Sequence, residues 1–168
     1  MLNKKDTTNA IKLLKLNKVI ILPTDTIYGL SAICNKENEI KINNIKKSDE
    51  DKKLIILFSK LSQLKSIFKP SKEFKKNLKS EKLLTQVVDT NNGKLAFRKV
   101  IRKDLKNIIN KVGLIFSTSV NYSGNPFLGK KEELELFNIQ VSEFFWDGPL
   151  NSKPSKIIDL VEKKVIRD

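Results

Sequence analysis

The chain has 168 residues, 39% of them hydrophobic, and its 33 Lys+Arg against 19 Asp+Glu give a formal charge of +14. It contains no histidine and one cysteine, Cys34. That excludes Ser-His-Asp and Cys-His catalysis, an internal disulfide and a multi-cysteine zinc site.

The size and hydrophobic content read as one globular α/β domain over residues 1–168. No apolar run approaches the roughly 20 residues that span a bilayer, and the N-terminal residues lack a signal-type apolar segment, so no membrane role and a cytoplasmic location are expected. The positive charge has two readings. It raises the local concentration of nucleotides and RNA, which leaves direct RNA binding open, and it also follows from compositional drift towards Lys, Asn and Ile.

In chain order, Ile11, Leu13, Leu14 and Leu16 predict a helix over 7–17 that feeds a strand from Val19 to Leu22. That strand stops in Pro23-Thr24-Asp25-Thr26, three small oxygen-bearing side chains behind a proline. Such residues form turns, and they can equally hold a small polar ligand at a strand's end. Ile40, Ile42 and Ile45 predict an amphipathic helix over 37–47, with Lys46 and Lys47 at its end and Lys52 and Lys53 before the next strand, 54–59. Leu61, Leu64, Ile67 and Phe68 have helical spacing as far as Pro70, and Ser71 can cap a short helix carrying Phe74 and Leu78.

Two apolar runs, LLTQVV and KLAFRKV, flank a turn signal and predict a hairpin with Asn92-Gly93 at its tip. Alternation sets Leu95, Phe97 and Lys99 on one face and Ala96 and Arg98 on the other. Arg98 is one of three arginines and lies mid-strand, which makes it the best single candidate for gripping a carboxylate or phosphate. A helical stripe from Leu105 to Val112 ends at Gly113 and leads to a strand over 114–120. The loop NYSGNPFLG, a short helix at 130–137 and a strand near 139–145 follow. Ser155–Val161 and Val165–Arg167 read as a final strand pair. Hairpins together with helical crossovers imply a mixed sheet. Three strand ends carry small polar loops: Thr24 to Thr26, Ser117 to Asn121, and the stretch before Pro154-Ser155. Neither a P-loop nor a GxGxxG motif is present.

Five segments, in order, resemble the YrdC-type (TsaC) threonylcarbamoyl-adenylate synthase family: Leu22-Pro-Thr-Asp-Thr-Ile-Tyr-Gly-Leu30, Ile45-Lys-Lys-Ser48 with the strand after it, Leu95-Ala-Phe-Arg98, Ser117-Thr-Ser-Val-Asn-Tyr-Ser-Gly124, and Pro154-Ser-Lys-Ile-Ile-Asp-Leu160 with Arg167. The resemblance implies a twisted mixed sheet flanked by helices around an open basic cavity. It also implies a nucleotidyl transfer in which L-threonine, bicarbonate or CO2 and ATP give threonylcarbamoyl-AMP and pyrophosphate for a tRNA modification, with a tRNA-modifying transferase downstream.

By that resemblance Lys46, Arg98, Ser119 and Asn121 would be catalytic. Thr24, Thr26, Tyr28, Arg98 and Ser155 would form the threonine side, and Lys46, Lys52, Ser117, Ser119, Asn121 and Arg167 the ATP side. ATP is then a substrate, Mg2+ is held mainly by its phosphates, and no protein metal site is expected. The family's K-x-R-P reads Lys46-Lys47-Ser48-Asp49 here, so Lys47 or Lys52 would stand in for the missing arginine. The alternative is a YrdC-like module that binds nucleotide or RNA without turnover.

Overall fold

The computed structural model describes residues 1–80, 83–150 and 152–168. Helix α1 (Lys4–Lys15) starts three residues before the predicted helix, because Asn3 caps it and its side chain accepts from the Asp6 N–H. Strand β1 (Ile20–Pro23) then pairs antiparallel with β2 (Tyr28–Ile33). The sequence reading left β2 unassigned: Tyr28-Gly29-Leu30-Ser31-Ala32 does not alternate cleanly, since the strand is buried on both faces.

Helix α2 (Lys36–Lys46) is capped by Asn35 and stopped by Lys47 in the left-handed region, φ 52°. Strand β3 (Ile55–Phe58) leads not into the predicted helix through Phe68 but into a single 3-10 turn, Leu61–Leu64. Gln63 explains the difference. Its side-chain oxygen accepts from the backbone N–H groups of Ser59 and Lys60, which holds the chain in a tight turn. Helix α3 (Lys72–Ser80) follows, with the Ser71 hydroxyl accepting from the Phe74 N–H.

Strands β4 (Leu84–Thr90) and β5 (Gly93–Lys99) form the predicted hairpin, but its tip is Asn91-Asn92, and Gly93, φ 81°, already pairs with Thr90. Helix α4 (Lys103–Val112), β6 (Ile115–Ser119), a short α5 (Lys131–Glu135), β7 (Lys156–Asp159) and β8 (Lys164–Arg167) complete the described elements. The strand expected near 139–145 is reduced to one bridge, Ile21 to Phe144. Its chain crosses as a strap instead, with Tyr28 stacked on Trp146 at 5.2 Å between ring centres.

All eight described strands lie in one mixed sheet, β1-β2-β6-β3-β5-β4-β7-β8. The pairs β3·β5 and β4·β7 are parallel and the others antiparallel. Alternation divides the core in two. Ile20, Leu22, Leu57 and Ile115 face α1 and α4, packing on Leu14, Leu105, Ile108 and Ile109. Ile21, Ile56, Phe58 and Phe116 face the other way, towards Ile42, Ile45 and Phe74 of α2 and α3. Among the described residues no helix is long and apolar enough to cross a membrane.

Candidate functional site

Sheet register dictates which side chains meet. Gly29 lies opposite Ser119, Ser31 opposite Ser117, Ser117 opposite Ile55, and Leu57 opposite Arg98, so these residues share the face of α1 and α4. Over this row opens a cavity of about 310 Å³. Its floor needs a glycine. A Cβ at position 29 would come within 2.3 Å of Ser117 Oγ and 3.2 Å of Thr24 Cγ2.

Of the sequence candidates, Thr24, Thr26 and Tyr28 line the cavity from the β1–β2 hairpin. Ser117, Ser119 and Asn121 line it from β6, Arg98 from β5, and Ser155 and Arg167 from the C-terminal strands. Asn151, in the polar stretch before Pro154, lies outside the described residues. Arg98 is the most constrained of these. It is 6% exposed, its Nη1 donates to Thr26 Oγ1 at 3.1 Å, and its Nη2 lies 3.5 Å from the Asp25 carboxylate. That last approach is an ion pair without hydrogen-bond geometry. Both Nε and Nη2 therefore stay buried with no hydrogen-bond partner.

Burial pushes the Arg98 guanidinium below the usual arginine value; Asp25 opposes that shift and Arg167 adds to it. Arg167 donates through Nε and Nη2 to the Ser155 carbonyl, at 3.0 and 2.7 Å. The Ser155 hydroxyl is bonded to Thr85 Oγ1 at 2.8 Å. Thr24 uses its hydroxyl locally, donating to the Ile27 carbonyl at 2.6 Å. Tyr28 donates to the Gly148 carbonyl at 2.6 Å and accepts from the Asp147 N–H at 2.9 Å, so its ring is locked against the strap.

Lys46 and Lys52 are placed differently. Lys46 is 4% exposed and sits behind the wall, where Nζ donates to the Ser119 carbonyl (2.6 Å), the Asn121 carbonyl (2.9 Å) and Asn121 Oδ1 (2.5 Å). Three acceptors match the three N–H donors of an ammonium. Burial, with Lys52 nearby, pushes its pKa down to about 8. Lys52 is exposed and reaches Ser123 Oγ at 3.2 Å. Lys47 lies over the Tyr122 ring, 4.9 Å from its centre. Ser48 folds back on α2, its hydroxyl 3.2 Å from Asn43 Oδ1.

Sequence reasoning passed over four participants. Asp25 was read, with its neighbours, as a turn residue or a holder of a small polar ligand but given no individual role, and Gly29 only as part of a motif. Pro126 and Phe127 add an apolar lip to the cavity, Phe127 being 41% exposed. The glycine between Tyr28 and Leu30 was the one available signal, since glycine inside a strand marks a close approach.

The Sua5/YciO/YrdC domain family, described as "Telomere recombination", matches residues 12–168. No curated protein matches the chain. Among solved structures, P. abyssi Sua5 complexed with L-threonine superposes with a TM-score of 0.85 at 22% identity, covering 98% of this chain and 54% of that one. E. coli YciO gives 0.83 at 18% identity, covering 100% and 93%. Full-length HypF in its phosphate- and nucleotide-bound form gives 0.81 at 15% identity, covering 91% and 27%. The chain thus spans about half the length of the Sua5 structures and nearly all of YciO. These likenesses carry the fold, and the match over residues 12–168 carries the family: the chain belongs to the Sua5/YciO/YrdC family.

Proposed function

We propose that the chain makes L-threonylcarbamoyl-AMP and pyrophosphate from L-threonine, bicarbonate or CO2, and ATP, an intermediate for threonylcarbamoyl modification of tRNA. One observation carries the reading: Arg98 lines a hydroxyl-rich cavity while buried, and makes no hydrogen bond through Nε or Nη2. An unsatisfied buried guanidinium edge is costly alone and suits a planar oxyanion that accepts two parallel N–H bonds. Related structures agree with such ligands, since P. abyssi Sua5 was solved with L-threonine and HypF with phosphate and nucleotide.

In this scheme the threonine amine adds to CO2, giving a carbamate and releasing a proton. A carbamate oxygen then attacks the α-phosphorus of ATP, and the bond to pyrophosphate breaks. Arg98 and Thr26 would hold the carboxylate-bearing side. Arg167, Ser117 and Ser119 would face the phosphates, while Lys46 keeps the Ser119–Asn121 backbone in shape. No histidine is required, because positioning and charge neutralisation supply the rate. The described residues offer no cluster of acidic, cysteine or histidine side chains for a metal. Asp25, the carboxylate next to Arg98, is already bonded to two backbone N–H groups. These residues do not fit a protein-held Mg2+ site, so such an ion would travel on the ATP phosphates.

A second reading is binding without turnover. The Lys46 ammonium is saturated by three oxygens, and Ser48 stands where the family carries arginine. The purified chain, incubated with labelled L-threonine, bicarbonate and ATP, should release pyrophosphate only when all three are present. Binding of ATP and threonine without pyrophosphate would establish the second reading, and binding of neither would overturn both.

A further inference from the structure

The β1–β2 turn places Asp25 against two elements at once. Its Oδ1 accepts from the N–H groups of Ile101 (3.1 Å) and Arg102 (2.7 Å), and its Oδ2 lies 3.3 Å from the Ile101 nitrogen. Ile101 and Arg102 lie just before α4, and the Arg102 side chain, at the N-cap, makes no capping bond of its own. A carboxylate from a distant turn therefore ties down the chain where it enters this helix. The same Oδ2 is the oxygen 3.5 Å from Arg98 Nη2, and the two side chains are only 1% and 7% exposed.

Thr26, the next residue, holds the other end of the guanidinium through Nη1. Consecutive turn residues thus take hold of Arg98 by both terminal nitrogens. In a guanidinium, Nε–H and one N–H of the outer nitrogen point the same way, as a fork matched to a carboxylate. That edge is the one without hydrogen bonds. The backbone N–H groups of Ile101 and Arg102 fix where Asp25 stands, and Asp25 supplies the one carboxylate within ion-pair distance of Arg98 among the described residues.

We infer that Asp25 is a positioning residue: anchored on the chain where it enters α4, it sets the orientation of the Arg98 fork that receives an oxyanion of the carboxylate class. The choice of anion rests on the synthase reading, whereas the positioning itself does not. Asp25→Asn keeps an oxygen for the Ile101 and Arg102 N–H groups but removes the charge facing Nη2. The guanidinium would then pivot about its Thr26 contact and meet a planar anion with one N–H in place of two.

The chain has three arginines, so a nitrogen-15 spectrum of arginine Nε–H groups has three signals, and Arg98→Lys assigns the one that matters. Titration with acetate, a bare carboxylate, and separately with L-threonine should shift that signal in the native chain. In Asp25→Asn the midpoint should rise by about tenfold, with a melting temperature within about 5 °C of native. Asp25→Glu, which restores the charge, should recover most of the affinity. Asp25→Ser, which removes the charge and shortens the side chain, should weaken binding as Asp25→Asn does and keeps the test decisive if Asp25→Asn does not fold. An unchanged midpoint in either folded variant, or loss in Asp25→Asn with no recovery in Asp25→Glu, would overturn the inference. An acetate response that depends on Asp25 in a chain releasing no pyrophosphate would retain the positioning role and remove the synthase.

Discussion

At residue scale, Lys46 shows how burial and hydrogen bonding divide one side chain's behaviour. Its ammonium underpins the Ser119–Asn121 loop from inside the wall, 73 and 75 positions along the chain. Burial lowers its pKa to about 8, so the folded state releases the proton before the unfolded state does. Below about pH 8 both states are protonated and this group gives no slope. Between about pH 8 and the ordinary lysine value of 10.5 the unfolded chain binds more protons, so the unfolding free energy should rise with pH across that window. Denaturant titrations at several pH values check this against Lys46→Met, in which the rise should be absent. An equal slope in both proteins would mean that Lys46 titrates normally.

At the scale of elements, helix α2 is joined to the loop after it by one buried amide. Asn43 is fully buried, and its Nδ2 donates to the carbonyls of Glu50 (2.8 Å) and Lys52 (2.9 Å). Its Oδ1 and carbonyl meet the Ser48 hydroxyl and N–H, so residues 48 to 52 are wound around it. Asn43→Ala would leave two carbonyls short of their donors and should cost about 1–3 kcal/mol of stability. Hydrogen exchange should quicken first between residues 48 and 53. Uniform quickening over the whole chain would instead mark a global loss. The asparagine was visible in the sequence only as one of many in a Lys- and Asn-rich chain. Its role came from a helix end that leaves a turn of backbone with no strand to pair with.

At the scale of the whole molecule, the chain carries a net charge of +14 and its cavity is lined by two arginines, Arg98 and Arg167. Such a field acts on ATP far more than on zwitterionic threonine. Raising salt from about 0.05 to about 0.5 M should therefore weaken ATP binding markedly and leave threonine binding nearly constant, measured by calorimetry. Equal salt slopes would place the attraction in local contacts rather than in the net charge. Most of the sheet was legible beforehand: β1, β3, β6 and the β4–β5 hairpin are apolar runs bounded by turn residues, and periodicity reports such runs directly. The missed β2 and the strand wrongly expected near 139–145 share a cause. Alternation marks strands with one wet face, so a strand buried on both faces lacks it, while a strap of mixed polar and aromatic residues imitates it.

The site divides along the same line. Sequence by itself determined its chemical inventory: no histidine, small hydroxyl-bearing residues at strand ends, and an arginine on the Ala96 face of β5, since residue type and strand alternation are local properties. Only the tertiary structure decided what each group faces. Thr24 spends its hydroxyl on its own turn, Lys46 turns inward under β6's loop, and Asp25 crosses to α4 while Arg98 keeps two nitrogens without a hydrogen bond. These outcomes depend on partners 73 to 77 positions away for Lys46 and Asp25, and long-range register rather than composition brings such partners together.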